Sequence, residues 1–124
     1  KFSRRTQGQL NQWAARYGYK DQPKEILDHA KSGRHAGRYT AVNLTNTDTV
    51  EFRMFRGTLK YTTLIATLEL LDCIIDAAIY LTDDDLKAMS WSSFVIGCTQ
   101  PELVQYLKER RLYVNEPVES EGEV

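Results

Sequence analysis

Glu51 and Arg53 are the residues whose types and spacing could do chemistry. They lie two positions apart in Thr49-Val50-Glu51-Phe52-Arg53-Met54-Phe55-Arg56-Gly57, where Val50, Phe52 and Met54 alternate with polar residues. Period two marks a half-buried strand, so the carboxylate and the guanidinium leave the same face. A carboxylate can hold a hard cation such as Mg²⁺, and the guanidinium fork matches phosphate oxygens. The same spacing equally describes a solvated ion pair on an open strand, worth at most about 1 kcal/mol.

A strand needs a partner, and the preceding residues offer one. Arg38 to Leu44 reads as a first strand with Val42 and Leu44 on one side. Thr45-Asn46-Thr47-Asp48 supplies turn chemistry. If Val42 and Leu44 share a face with Val50 and Phe52, opposed residues have an even number sum, which leaves a three-residue loop. That register groups Tyr39, Ala41 and Asn43 with Glu51 and Arg53, and brings Arg38 and Arg56 near one end. Two strands are not stable alone, so helices are expected to cover the apolar side.

Helical periodicity supplies them. Thr6 caps an expected helix from Gln7 to Tyr17 with Leu10, Trp13, Ala14 and Tyr17 on one face. Pro23 opens a second, reaching Ser32 and followed by a basic loop with Arg34 and His35. Thr58 is the expected cap of the longest helix, Leu59 to Leu81. Its residues Leu64, Ile65, Leu68, Leu71, Ile75 and Ile79 form a stripe expected to face the core. Glu69, Asp72 and Asp76 form a polar strip at spacings of three and four, readable as a ligand row or as a solvated edge. Thr82 with Asp85 is a capping box, which accounts for the run Asp83-Asp84-Asp85 without a metal. That helix is expected to run on to Gly97, and a last one from Thr99 to Leu112. One hairpin and about five helices make an α+β domain over residues 1–113, with 114–124 an acidic disordered tail.

Composition narrows the class. At 124 residues, 42% hydrophobic and 27% charged, the chain matches a small globular domain with one core. The net charge of −1 conceals a division. Residues 1–60 hold twelve Lys and Arg against five Asp and Glu, whereas residues 61–124 hold four against twelve. A basic half and an acidic half favour a polar partner or a phosphate-bearing ligand. Cys73 and Cys98 have no metal-ligand spacing and read as reduced thiols, pointing to the cytoplasm. The apolar run 64–81 is interrupted by three acids and is not a membrane span. There is no Gly-rich phosphate loop, zinc spacing or nucleophile elbow. Lys1-Phe2 opens without a helix cap, as if an element of a longer parent protein began upstream.

Arg38-Tyr39, Ala41-Val42-Asn43-Leu44, Thr49-Val50-Glu51-Phe52-Arg53 and Phe55-Arg56-Gly57-Thr58 together resemble the C-terminal half of the putative amidoligase family. These carboxylate–amine ligases occur in bacteria, phage and mobile elements and have a glutamine-synthetase-like catalytic fold. The resemblance implies a partial domain of that fold, with a hairpin packed on helices. It implies ATP-dependent amide formation through an acyl phosphate. Glu51 would then be one of several Mg²⁺ ligands and Arg53 an ATP-phosphate contact. Asn43, Arg38 and Arg56 would be further phosphate or substrate contacts. Family members carry more strands and more metal-binding glutamates in an N-terminal half that this sequence lacks. The chain is therefore expected to be catalytically incomplete alone, with that missing half as one possible protein partner.

A second class follows from the same residues. A remnant domain from a mobile element could act without catalysis, binding and inhibiting a bacterial nuclease or defence protein, and the charge division would suit such docking. Direct nucleic-acid binding ranks last, because no helix carries a clear basic face.

Overall fold

The computed structural model describes residues 2–15, 31 and 39–113. Among them are five α-helices and a two-stranded antiparallel hairpin, a mixed α+β composition. They divide into two compact units, Ser3–Arg56 and Lys1–Phe2 with Gly57–Val124. The expected helix over 23–32, apart from Lys31, which is helical, the basic loop with Arg34 and His35, Arg38 and the tail 114–124 lie outside the described residues.

In the Ser3–Arg56 unit, helix α1 spans Gln7–Trp13. Thr6 caps it as expected, and Gln9 completes a capping box by returning its side chain to the Thr6 N–H. The helix stops four residues short of Tyr17, because Ala14 leaves the helical conformation at φ −148°, ψ 49° and Ala15 enters a β-bridge. Ala15 forms a parallel bridge to Thr40: its N–H donates to the Tyr39 carbonyl at 3.0 Å, and the Ala41 N–H donates back at 2.9 Å.

Strands β1 (Val42–Asn43) and β2 (Glu51–Phe52) pair Val42 with Phe52 and Asn43 with Glu51. The pairing has the even sum that the apolar alternation requires, and the Arg53 N–H to Ala41 O bond, 2.8 Å, extends it one step. The ladder is much shorter than expected, and its connection runs over 44–50 in place of three residues. Asn43 interrupts the turn locally: its Oδ1 accepts from both the N–H and the hydroxyl of Thr45, at 3.0 and 2.7 Å. Such a side chain offers the backbone an alternative to ladder pairing.

In the second unit, α2 spans Tyr61–Tyr80. It begins two residues later than expected, because the Thr58 hydroxyl accepts from Lys60 N–H in a turn and Lys60 becomes an N-cap with no side-chain cap. The expected single helix over 82–97 is two: α3 (Asp83–Ala88) and α4 (Trp91–Ile96). The Thr82–Asp85 capping box is present, and its hydrogen bonds from Thr82 hold the Asp85 carboxyl below its ordinary range. The break arises because Ser90 takes an extended conformation and forms a second capping box with Ser93. Gly97 ends α4 as expected.

Helix α5 spans Pro101–Glu109 and packs against α2. Its N-cap, Gln100, makes no side-chain cap bond. The carboxylate of Glu69 on α2 substitutes, accepting from the Leu103 N–H at 2.7 Å. A carboxylate there satisfies an orphan donor and faces the positive end of the helix. Glu69 is thereby explained structurally, outside any ligand row. At the other end Arg111 takes φ 55°, so that Arg111 and Leu112 N–H reach the carbonyls of Lys108 and Leu107. This is the left-handed cap that glycine usually supplies.

The core of this unit consists of Ala66, Leu70, Val95, Cys98, Leu103, Tyr106 and Leu107. Phe2 stacks edge-on to Tyr106 with ring centres 4.9 Å apart. Helix α2 does not bury the stripe expected of it. Its buried residues are Thr63, Ala66 and Leu70. Leu64, Leu68, Ile75 and Ile79, expected in the core, are exposed. No helix among the described residues is long and apolar enough to cross a membrane.

Candidate functional site

Each unit presents one candidate surface.

The first is the polar face of the hairpin. Cross-strand pairing sets Asn43 directly opposite Glu51, and the extra backbone bond sets Ala41 opposite Arg53. Asn43, Glu51 and Arg53 therefore meet as their register requires. Glu51 Oε1 receives the Arg53 guanidinium at 3.0 Å and the Asn43 amide at 3.3 Å. Arg53 also donates from Nε to the Trp13 carbonyl at 3.3 Å, and its guanidinium lies 5.3 Å from the centre of the Tyr39 ring. Tyr39 in turn meets Trp13 edge-on at 5.3 Å. The Arg53 side chain is 19% exposed and that of Glu51 44%. Asn43 is buried at 3%.

These contacts describe a clasp. Arg53 ties the C-terminal end of α1 to β2, and Asn43 ties both strands to the turn. Its polar atoms are used within the unit, as buried polar groups must be. Arg56 does not join it through its guanidinium. Its backbone is engaged instead, with the N–H donating to Ser3 O at 2.9 Å and the carbonyl accepting from Arg4. Arg38 lies outside the described residues.

Among the described residues the donor set does not fit Mg²⁺. Glu51 is the one carboxylate they bring to this cluster, and its Oε1 already carries a guanidinium and an amide. Among the described residues no group of three His, Cys, Asp or Glu is placed to hold a metal ion. Mg²⁺ demands near-ideal octahedral oxygen geometry, and a neighbouring cation opposes it.

The second place is the outward face of α2. Tyr61, Leu64, Leu68, Ile75 and Ile79 recur at steps of three, four and seven, with Leu71 half-buried in the gap. Tyr61 is 72% exposed, Leu68 52% and Ile79 64%. At 1.5 Å per residue the row is about 27 Å long. Asp72 and Asp76 are exposed along one side of it, and no ion pair among the described residues reaches either. The opposite face carries Thr63, Ala66, Leu70, Cys73 and Ala77, all but Leu70 smaller than the outward residues, and turns inward.

Periodicity identified the outward row but assigned it to the core. The signal that separates the faces is size: small residues at 63, 66 and 77 let a neighbouring helix approach closely, and α5 takes that side. The Trp13 carbonyl and the Tyr39 ring around Arg53 carry no sequence signal, because both depend on where α1 ends.

The two thiols lie on the inward side. Cys73 donates to Gln100 Oε1 at 3.2 Å, and Cys98 to Phe94 O at 3.4 Å. Burial, reinforced by the neighbouring Cys73 thiol, pushes the Cys98 thiol up to about 12. Both are free cysteines. A thiol held protonated in this way is a poor nucleophile.

Set against protein-family models, curated proteins and solved structures, the chain matches none of them.

Proposed function

We propose that the chain is a non-enzymatic protein-binding module whose recognition surface is the outward face of α2. The observation that carries the reading is the inversion of that helix: its large apolar residues face solvent while Thr63, Ala66 and Leu70 fill the core. Scattered exposed apolar residues are ordinary, but a continuous row over the length of one helix marks an interaction site. A small protein that occludes a nuclease or defence protein would use such a face. An ATP-dependent ligase reading of Glu51 and Arg53 would require both to leave partners that stabilise the hairpin, so the geometry favours it less.

A photo-crosslinking residue at Leu68, compared with one at exposed Gln105 on α5, tests the proposal in lysate. The expected result is a discrete protein adduct from position 68, lost when Leu64 and Ile75 are both changed to Glu. Equal labelling from position 105, or none from 68, refutes it.

A further inference from the structure

Resting on that binding reading, we infer that the partner segment which covers α2 is a basic amphipathic helix. The row Tyr61, Leu64, Leu68, Leu71, Ile75, Ala78 advances by alternating steps of three and four. That average of 3.5 residues is the spacing at which a second helix stays in register along a seam. A straight ridge of this length complements a helix, whereas an extended strand would find no unpaired backbone edge on it.

Charge selects the kind of helix. From Tyr61 to Leu86 the sequence has six acids and no Lys, Arg or His. At 100° per residue Asp72 and Asp76 lie about 70° and 110° from the centre of this row, so they line one flank of it. Helix α2 has no basic residue in its last turn. Its negative dipole end is followed by Asp83, Asp84 and Asp85, and Lys87 is the first cation after them. Lys or Arg on the partner's flank would meet Asp72 and Asp76 and complete that end. A second copy of the chain fits worse. An antiparallel α2 pair would bring the two sets of Glu69 and Asp72 together near its middle, with Lys60 the single nearby cation on each helix.

The test uses the full chain and two labelled 21-residue helical peptides, identical in their Leu seam, one flanked by Lys and the other by Glu. Fluorescence anisotropy gives the affinities, and light scattering after gel filtration gives the oligomeric state. The Lys peptide is expected to bind at least tenfold more tightly than the Glu peptide. Asp72→Asn with Asp76→Asn is expected to weaken it about fivefold, and raised salt to reduce the difference. Leu68→Glu is expected to abolish binding of both. Equal affinity of the two peptides, or indifference to the Asn pair, overturns the charge assignment while leaving the α2 face as a binding site. A dimer that Leu68→Glu dissolves makes a second copy the occupant and overturns the inference. Absence of peptide binding overturns it too, and if position 68 also yields no adduct, the binding function falls with it.

Discussion

Leu68 and Leu70 are the same residue two positions apart on one helix, and the structure gives their truncation unequal costs. Leu70 is 3% exposed and sits against the α5 side, where removing three heavy atoms leaves a cavity. Leu70→Ala is expected to cost about 3 kcal/mol, within the usual range for buried leucines. Leu68 is 52% exposed. About half of its roughly 2.4 kcal/mol of methylene transfer energy is at stake, and alanine's better helix propensity returns about 0.2 kcal/mol. Leu68→Ala is therefore expected to cost about 1 kcal/mol, with no cavity term. Urea unfolding followed by far-UV circular dichroism separates the two: a gap of about 2 kcal/mol is roughly 1 M between midpoints at an ordinary slope. Had the large apolar row been the core face, the order would be reversed. A Leu68→Ala midpoint shifted as far as that of Leu70→Ala would refute the orientation of α2, and with it the exposed recognition row.

Three further outcomes follow from the same contacts. Millimolar Mg²⁺–ATP is expected to leave the melting temperature unchanged. A rise that Arg53→Ala removes would restore a nucleotide role to Arg53 and Glu51 through linkage. Cys98 is expected to resist iodoacetamide at pH 8 until the chain is unfolded. Its folded-state value is raised from 9.0 to about 12, so the stability linked to its neutral thiol is complete below about pH 9 and lost progressively up to about 12. Rapid alkylation of the native protein would contradict that burial. Arg111→Gly is expected to raise stability by about 0.5–1 kcal/mol in a thermal melt, because φ 55° is strained for arginine and open to glycine. A loss of stability would show that the arginine side chain matters more than its backbone.

The parts of the fold legible in the sequence are those decided by neighbours in the chain. Thr6, Thr82 and Gly97 mark helix ends because their partners lie within a few residues. The parity of the hairpin register followed from Val42, Val50 and Phe52, since a slip of one residue would invert every side chain. The meeting of Asn43, Glu51 and Arg53 followed from that parity. Their use did not, because the Trp13 carbonyl and the Tyr39 ring reach Arg53 only once α1 stops early and Ala15 bridges to Thr40. Likewise Ser90 broke an expected helix in two, although Ser93 three residues on was a readable capping partner.

The orientation of α2 is a different kind of failure. Periodicity finds apolar rows, and α2 has two of them on opposite sides, Tyr61-Leu64-Leu68-Leu71-Ile75 and Thr63-Ala66-Leu70-Cys73-Ala77. Burial area alone favours giving the larger residues to the core. Close packing favours the smaller, because a short helix such as α5 gains more from close approach along Ala66 and Leu70 than from stacking on bulky side chains. Glu69 then fixes the choice by capping α5 from the inward flank, a bond that rotation of α2 onto its larger face would break. A helix apolar on both sides belongs in the interior of something larger than itself. Its inner side is satisfied within this chain. Its outer side, acid-flanked and about 27 Å long, is the surface on which the proposed apolar and basic helix would seat.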